Sequence, residues 1–195
     1  MARAHRPPSP ARRLVNQTWW FLDRSTGIVA TLLAVASLGW GFLFSARQTG
    51  TRKSPAWWLD LHNWLGGLAL GFTLAHVVFA LADRSGGLGL IDALVPRTGT
   101  TLQRGLAWGV VAMWAFVVTV VTSLARVRRR IARRWWHGIH LISVPAVVLA
   151  IVHGYAIGSD ATTVAFQAAL VLVAGAAVYP TALRVLGLVA KRRAG

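Results

Sequence analysis

Five of the six histidines in this chain fall inside two stretches apolar enough to lie in hydrocarbon, and four of them come in two matched sets. One is WWLDLHNWLGGLALGFTLAH, Trp57 to His76; the other is WWHGIHLISVPAVVLAIVH, Trp135 to His153. In each, a histidine follows the second tryptophan by four residues: His62 after Trp58, His140 after Trp136. A further histidine follows fourteen residues later in the first set and thirteen later in the second, at His76 and His153. Titratable groups at membrane depth are costly to bury and mark functional positions by default. Neutral imidazole is a sound iron ligand, and ligation offsets its burial cost. If the two stretches run side by side in the same direction, each of two levels offers one imidazole from each helix. At about 1.5 Å of rise per residue the levels lie roughly 20 Å apart. Such an arrangement holds an iron porphyrin between two nitrogens, twice. Iron with two imidazoles has no open position, which suits electron transfer rather than oxygen chemistry.

A lone histidine in a span has other uses, such as a hydrogen bond across helices or a proton relay. Two pairs matched in depth, each introduced by WWxxxH, are much harder to produce that way. Helical phase tests the idea further. Fourteen residues make nearly four turns, so His62 and His76 share a face. Thirteen leave His153 rotated by roughly 140° from His140 on a straight helix, and Pro145 between them is expected to kink the span and change that phase. His137, one turn before His140, is the rival ligand but lacks the tryptophan-plus-four match. Gly66, Gly67 and Gly71 lie between the histidines of the first stretch, where they serve either close approach of a flat macrocycle or helix packing. Candidate partners for porphyrin propionates are Arg52, Lys53, Arg133 and Arg134 at one level and Arg84 and Arg97 at the other. Lipid headgroups and membrane orientation are the competing use of each.

The elements that carry these histidines follow from composition. Of 195 residues, 55% are hydrophobic and 13% charged, about half the charge of a soluble domain, so the chain reads as an all-α integral membrane bundle. There are no cysteines, which excludes thiolate metal sites and iron–sulfur clusters. The net charge of +16 sits in tails and between apolar runs, so it points to membrane orientation and not to nucleic acid. Five transmembrane helices are expected at about residues 27–46, 59–82, 104–125, 136–157 and 162–188. TGTRKSP, DRSGGLGLIDALVPRTGT, RVRRRIARR and GSD separate them. Residues 1–26 read as a basic, proline-bearing arm ending in an interfacial NQTWWFL segment, residues 27–190 as the bundle, and 191–195 as a basic tail. Placing the regions around 47–53 and 126–134 and the C-terminal end inside assigns the cytoplasm 13 of the 21 Lys and Arg residues, with the N-terminus outside and the C-terminus cytoplasmic. Arg3, Arg6, Arg12, Arg13 and Arg24 count against this, and the six-arginine loop decides the orientation.

Three stretches carry a likeness to a known group: DRSTGIVA before span one, LHNWLGGLALGFTLAH in span two, and RRWWHGIHLISVPAVVLAIVHGYAIGSD through span four. Over roughly residues 20–160 the chain resembles the ferric reductase-like transmembrane domain family. That family includes the membrane parts of ferric reductases and NADPH oxidases and the haem-binding subunit of the periplasmic methionine sulfoxide reductase system. The resemblance implies two b-type haems ligated by His62, His76, His140 and His153. Members commonly have six spans where five are expected here, and no flavin or nicotinamide domain is recognised, because GGLGLID at 86–92 lacks a strand–turn–helix setting.

The resulting expectation is a di-haem b electron carrier of a bacterial-type inner membrane, an oxidoreductase component without its own FAD or NAD(P) site. Its donor would be a cytoplasmic flavoprotein or membrane quinol, and its outer acceptor ferric iron or a partner reductase. Two rivals remain at this level. One is the cytochrome b anchor of a quinone-linked dehydrogenase; the other is a haem-free transporter or scaffold, which the absence of glutamate weakens.

Overall fold

The structure is a computed structural model that describes residues 10–45, 56–83, 87–159 and 161–193. It is helical throughout, with no strand among the described residues: α1 (Pro10–Ser45), α2 (Ala56–Ala82), α3 (Leu90–Leu94), α4 (Thr101–Ser123), α5 (Ala125–Arg128), α6 (Arg133–Leu141), α7 (Ser143–Ile157) and α8 (Val164–Arg193). Four segments are long and apolar enough to cross a membrane: Leu14–Leu43, Ala56–Ala82, Thr101–Ser123 and Arg133–Ile157. The fifth expected span corresponds to α8, which has the length, although its apolar stretch among the described residues covers Val164–Ala176. The chain is a multi-pass helical membrane protein.

Local chemistry sets the helix limits. α1 begins at Pro10, well before the start expected for span one. Pro10 opens it because a missing N–H costs nothing in the first turn, and no glycine or proline interrupts ARRLVNQTWWFL after it. The segment NQTWWFL is therefore continuous with the helix of the first span. α4 starts at a capping box: Thr100 Oγ1 accepts from Gln103 N at 3.1 Å while Thr100 N donates to Gln103 Oε1 at 3.2 Å. It stops where Leu124 turns to ψ 134°.

The fourth span is broken as its proline requires. Pro145 has no N–H for the Leu141 carbonyl, and its ring crowds that same carbonyl. The helix yields there: Ile142 N bonds Ile139 O at 3.0 Å in a tighter turn, and α7 resumes at Ser143. α6 and α7 thus have separate axes, so the phase of a straight helix does not apply to His140 and His153.

Packing is dominated by two antiparallel pairs, α1 with α2 and α4 with α6–α7, set against one another. The buried core is made of small side chains, among them Ala34, Ala69, Ala107, Ala112 and Ala146, which lets backbones approach closely. Large apolar residues such as Trp64, Val78 and Leu172 face outward, as a lipid-embedded surface allows. TGTRKSP, with Arg52 and Lys53, lies outside the described residues, as does Arg84.

Candidate functional site

Between the two helix pairs the four histidines meet two by two. The rings of His62 and His140 have centroids 5.8 Å apart with planes at 66°; those of His76 and His153 are 6.2 Å apart at 78°. Two imidazoles sharing a metal each need about 2 Å to it, and ~1 Å more from nitrogen to ring centre, which sums to about 6 Å between centroids. Both pairs have the spacing of rings with a metal between them. His137 is exposed on the outer side of α6 beside Trp136, so His140 is the histidine that faces His62.

What holds the rings there is a neighbouring helix in every case. His62 Nδ1 lies 3.0 Å from the carbonyl of Ser37, His76 Nδ1 2.8 Å from that of Asp23, and His153 Nδ1 3.0 Å from that of Gly105. A carbonyl only accepts, so each of these rings carries its proton on Nδ1 and keeps the Nε2 lone pair for a metal. His140 reaches the same state by another route. Its Nδ1 sits 3.3 Å from Ser123 Oγ, whose own proton goes to the Thr119 carbonyl at 2.7 Å. Trp136 Nε1 donates to the same oxygen at 3.4 Å, so Ser123 Oγ is left to accept from His140. All four imidazoles are fixed as the tautomer that ligates through Nε2, and that second hydrogen bond is the usual companion of metal-bound histidine.

A spacing rule lies beneath this. The residue four positions after each carbonyl acceptor is a glycine: Asp23 and Gly27, Ser37 and Gly41, Gly105 and Gly109. A β-carbon added at Gly109 would lie 2.6 Å from His153 Cε1; at Gly27, 3.0 Å from His76 Nδ1; at Gly41, 3.1 Å from His62 Cε1. The ring lies flat where the side chain would have been and thereby reaches the carbonyl one turn back. These glycines escape a search confined to the histidine-bearing spans, which picks out Gly66, Gly67 and Gly71 instead. A β-carbon at Gly67 or Gly71 meets nothing within 4 Å, and one at Gly66 meets only Ser37 Oγ at 3.5 Å.

The surroundings of the two pairs differ. A cavity of about 370 Å³ opens at His76 and His153, walled by apolar residues of α1, α2, α4, α7 and α8, with Asp23 and Arg24 also on its surface. That volume lies within the usual range for small-molecule and cofactor sites. Arg24 also stacks over Trp20 at 4.7 Å and bonds Ser159. Of the arginines expected at this level, Arg97 is instead paired with Asp92 at 3.1 Å. Around His62 and His140 the walls are aromatic. Trp136 stacks on His140 at 4.9 Å and 19°, and the guanidinium of Arg128 lies 4.3 Å from the Trp136 ring centroid. Trp40, Trp57 and Trp58 form a second stack, at 4.4 Å between Trp40 and Trp58 and 4.6 Å between Trp57 and Trp58. Arg133 and Arg134 are exposed at this end.

Among the described residues no three His, Cys, Asp or Glu side chains converge as a bare metal ion would require. Two axial nitrogens are enough when a macrocycle supplies the in-plane ligands, so the donor set fits haem better than a free ion. No curated protein matches the chain. The profile of the family described as "Ferric reductase like transmembrane component" matches residues 26–151, from Thr26 in α1 to Ile151 in α7, a span that includes His62, His76 and His140 and stops two residues short of His153. Domains of this kind commonly bind haem and carry electrons across membranes, alongside redox partners. The match covers well over half of the chain, which belongs to the ferric reductase-like transmembrane component family.

Proposed function

We propose that the protein is a di-haem b electron carrier, with one haem held by His62 and His140 and the other by His76 and His153. The observation that carries this reading is the repeated geometry of two ring pairs about 6 Å apart, with every Nδ1 engaged by an adjacent helix. Bound there, haem supplies a one-electron iron couple without an open coordination position. The chain's own residues do the rest. Backbone carbonyls of Asp23, Ser37 and Gly105 and the Ser123 hydroxyl orient the imidazoles. The apolar walls of the cavity exclude water. Arg24, the arginine on the cavity surface, offers a cation for a propionate.

The direction follows from charge. The arginine-rich segment 126–134 lies at the His140 end, so that end is cytoplasmic under the positive-inside bias and the His76/His153 end is external. Electrons would then enter near Trp136 and His140 from a cytoplasmic flavoprotein or membrane quinol. They would leave near His76 and His153 to ferric iron or a partner reductase. The membrane is of the bacterial inner type in this reading.

The test is a haem-to-protein ratio with a reduced-minus-oxidised spectrum on purified protein. Two b-type haems per chain are expected, falling to one in His76→Ala or His153→Ala and to one in His62→Ala or His140→Ala. His137→Ala keeps both. Protein that folds with an adequate haem supply and stays colourless would rule the reading out.

A further inference from the structure

Three of the four imidazoles rest on a backbone carbonyl, and one rests on a serine hydroxyl. At His76 alone among the four a carboxylate also reaches the same nitrogen. Asp23 Oδ1 lies 2.9 Å from His76 Nδ1, next to the Asp23 carbonyl at 2.8 Å. That oxygen is buried and has no hydrogen bond of regular geometry, so beside the carbonyl's hydrogen bond it meets the ring as a charge contact. A carboxylate oxygen buried in a membrane span without a regular donor is costly, so its retention calls for a use.

Positioning does not supply that use. At His62 and His153 a carbonyl suffices to fix tautomer and orientation, and the Asp23 carbonyl does the same for His76 whatever side chain follows it. What the carboxylate adds is negative charge beside one axial ring. Negative charge held against the Nδ1 edge of an axial imidazole favours ferric over ferrous iron.

We infer that Asp23 is a tuning residue: its carboxylate lowers the reduction potential of the haem held by His76 and His153, leaving the His62/His140 haem unaffected. The inference rests on the di-haem reading. It gives the chain two electronically distinct sites built on one scaffold.

The experiment is a spectroscopic redox titration of wild-type, Asp23→Asn and Asp23→Glu protein, each with its haem-to-protein ratio. Asp23→Asn keeps the backbone carbonyl and the side-chain shape, so both haems should remain. The equilibrium constant for reducing the His76/His153 haem should rise at least about tenfold, which is about 59 mV for one electron. The other haem should not move, and Asp23→Glu should fall back toward wild type. Unchanged potentials with both haems in place would overturn the inference and leave the di-haem reading standing. Loss of that haem from both variants would also overturn it, because the carboxylate would then hold the site and not tune it. Wild-type protein without haem would overturn both.

Discussion

At the His76/His153 pair both rings lie on backbone carbonyls, deep in the bundle, beside an apolar cavity of about 370 Å³. At the His62/His140 pair one ring lies on a carbonyl and the other on a serine hydroxyl, close to where α4 ends and α6 breaks. The cause of the difference is local. Four residues after Thr119, whose carbonyl would be the equivalent acceptor, α4 carries Ser123 in place of a glycine, and the Ser123 hydroxyl takes that carbonyl at 2.7 Å. No fourth glycine cradle can form there, so a side-chain oxygen replaces the carbonyl and Trp136 replaces the flat helix surface as the face against which His140 lies. A backbone acceptor tolerates change of its own side chain; a hydroxyl acceptor does not. The two sites should therefore fail under different substitutions.

The largest effect is expected from Gly109→Ala. Its β-carbon would sit 2.6 Å from His153, so the ring has to swing away and give up the Gly105 carbonyl. Haem retention at the His76/His153 site should fall by about 100-fold, the upper end for loss of such a partner, while the other site stays filled. Gly41→Ala makes the comparison quantitative. At 3.1 Å from His62 Cε1 its methyl asks for a shift of a few tenths of an ångström, so only a small loss at the His62/His140 site is expected. Equal losses in the two variants would break the proposed link between closeness and ring placement.

Ser123→Ala comes next. It removes the acceptor of both His140 Nδ1 and Trp136 Nε1, leaving two partly buried donors unpaired, and should weaken haem at the His62/His140 site by about tenfold. Ser37→Ala is the matched control with the smallest effect, because the carbonyl 3.0 Å from His62 remains. Haem titration of the two purified variants checks the pair, and a Ser37→Ala loss as large as that of Ser123→Ala would contradict the assignment of acceptors.

Much of this arrangement was legible in the sequence, for identifiable reasons. The spans show because hydrocarbon demands long apolar runs. The depth of the histidines shows because WWxxxH occurs twice, and rise per residue turns spacing into height. The break in the fourth span shows because Pro145 leaves the Leu141 carbonyl without its donor. The acceptors were hidden because a backbone carbonyl has no residue identity; Asp23, Ser37 and Gly105 share nothing in type. Their common signal, a glycine four residues later, becomes readable only once α1 is known to lie against α2, and α4 against α7. Gly66, Gly67 and Gly71 stand out in the sequence because they share a helix with the histidines, whereas the close contacts are made by glycines on the facing helix. The early start of α1 was masked by Pro7, Pro8 and Pro10, of which Pro10 begins the helix instead of preventing it.

Spin-quantified electron paramagnetic resonance of the fully oxidised protein tests the central claim most directly, since it reads the axial ligands of each iron. With ring planes at 66° and 78°, the account predicts two low-spin ferric signals of the strongly anisotropic kind that crossed imidazoles produce, each integrating to one spin per chain. A single low-spin species, or a high-spin signal from iron with an open position, would contradict it.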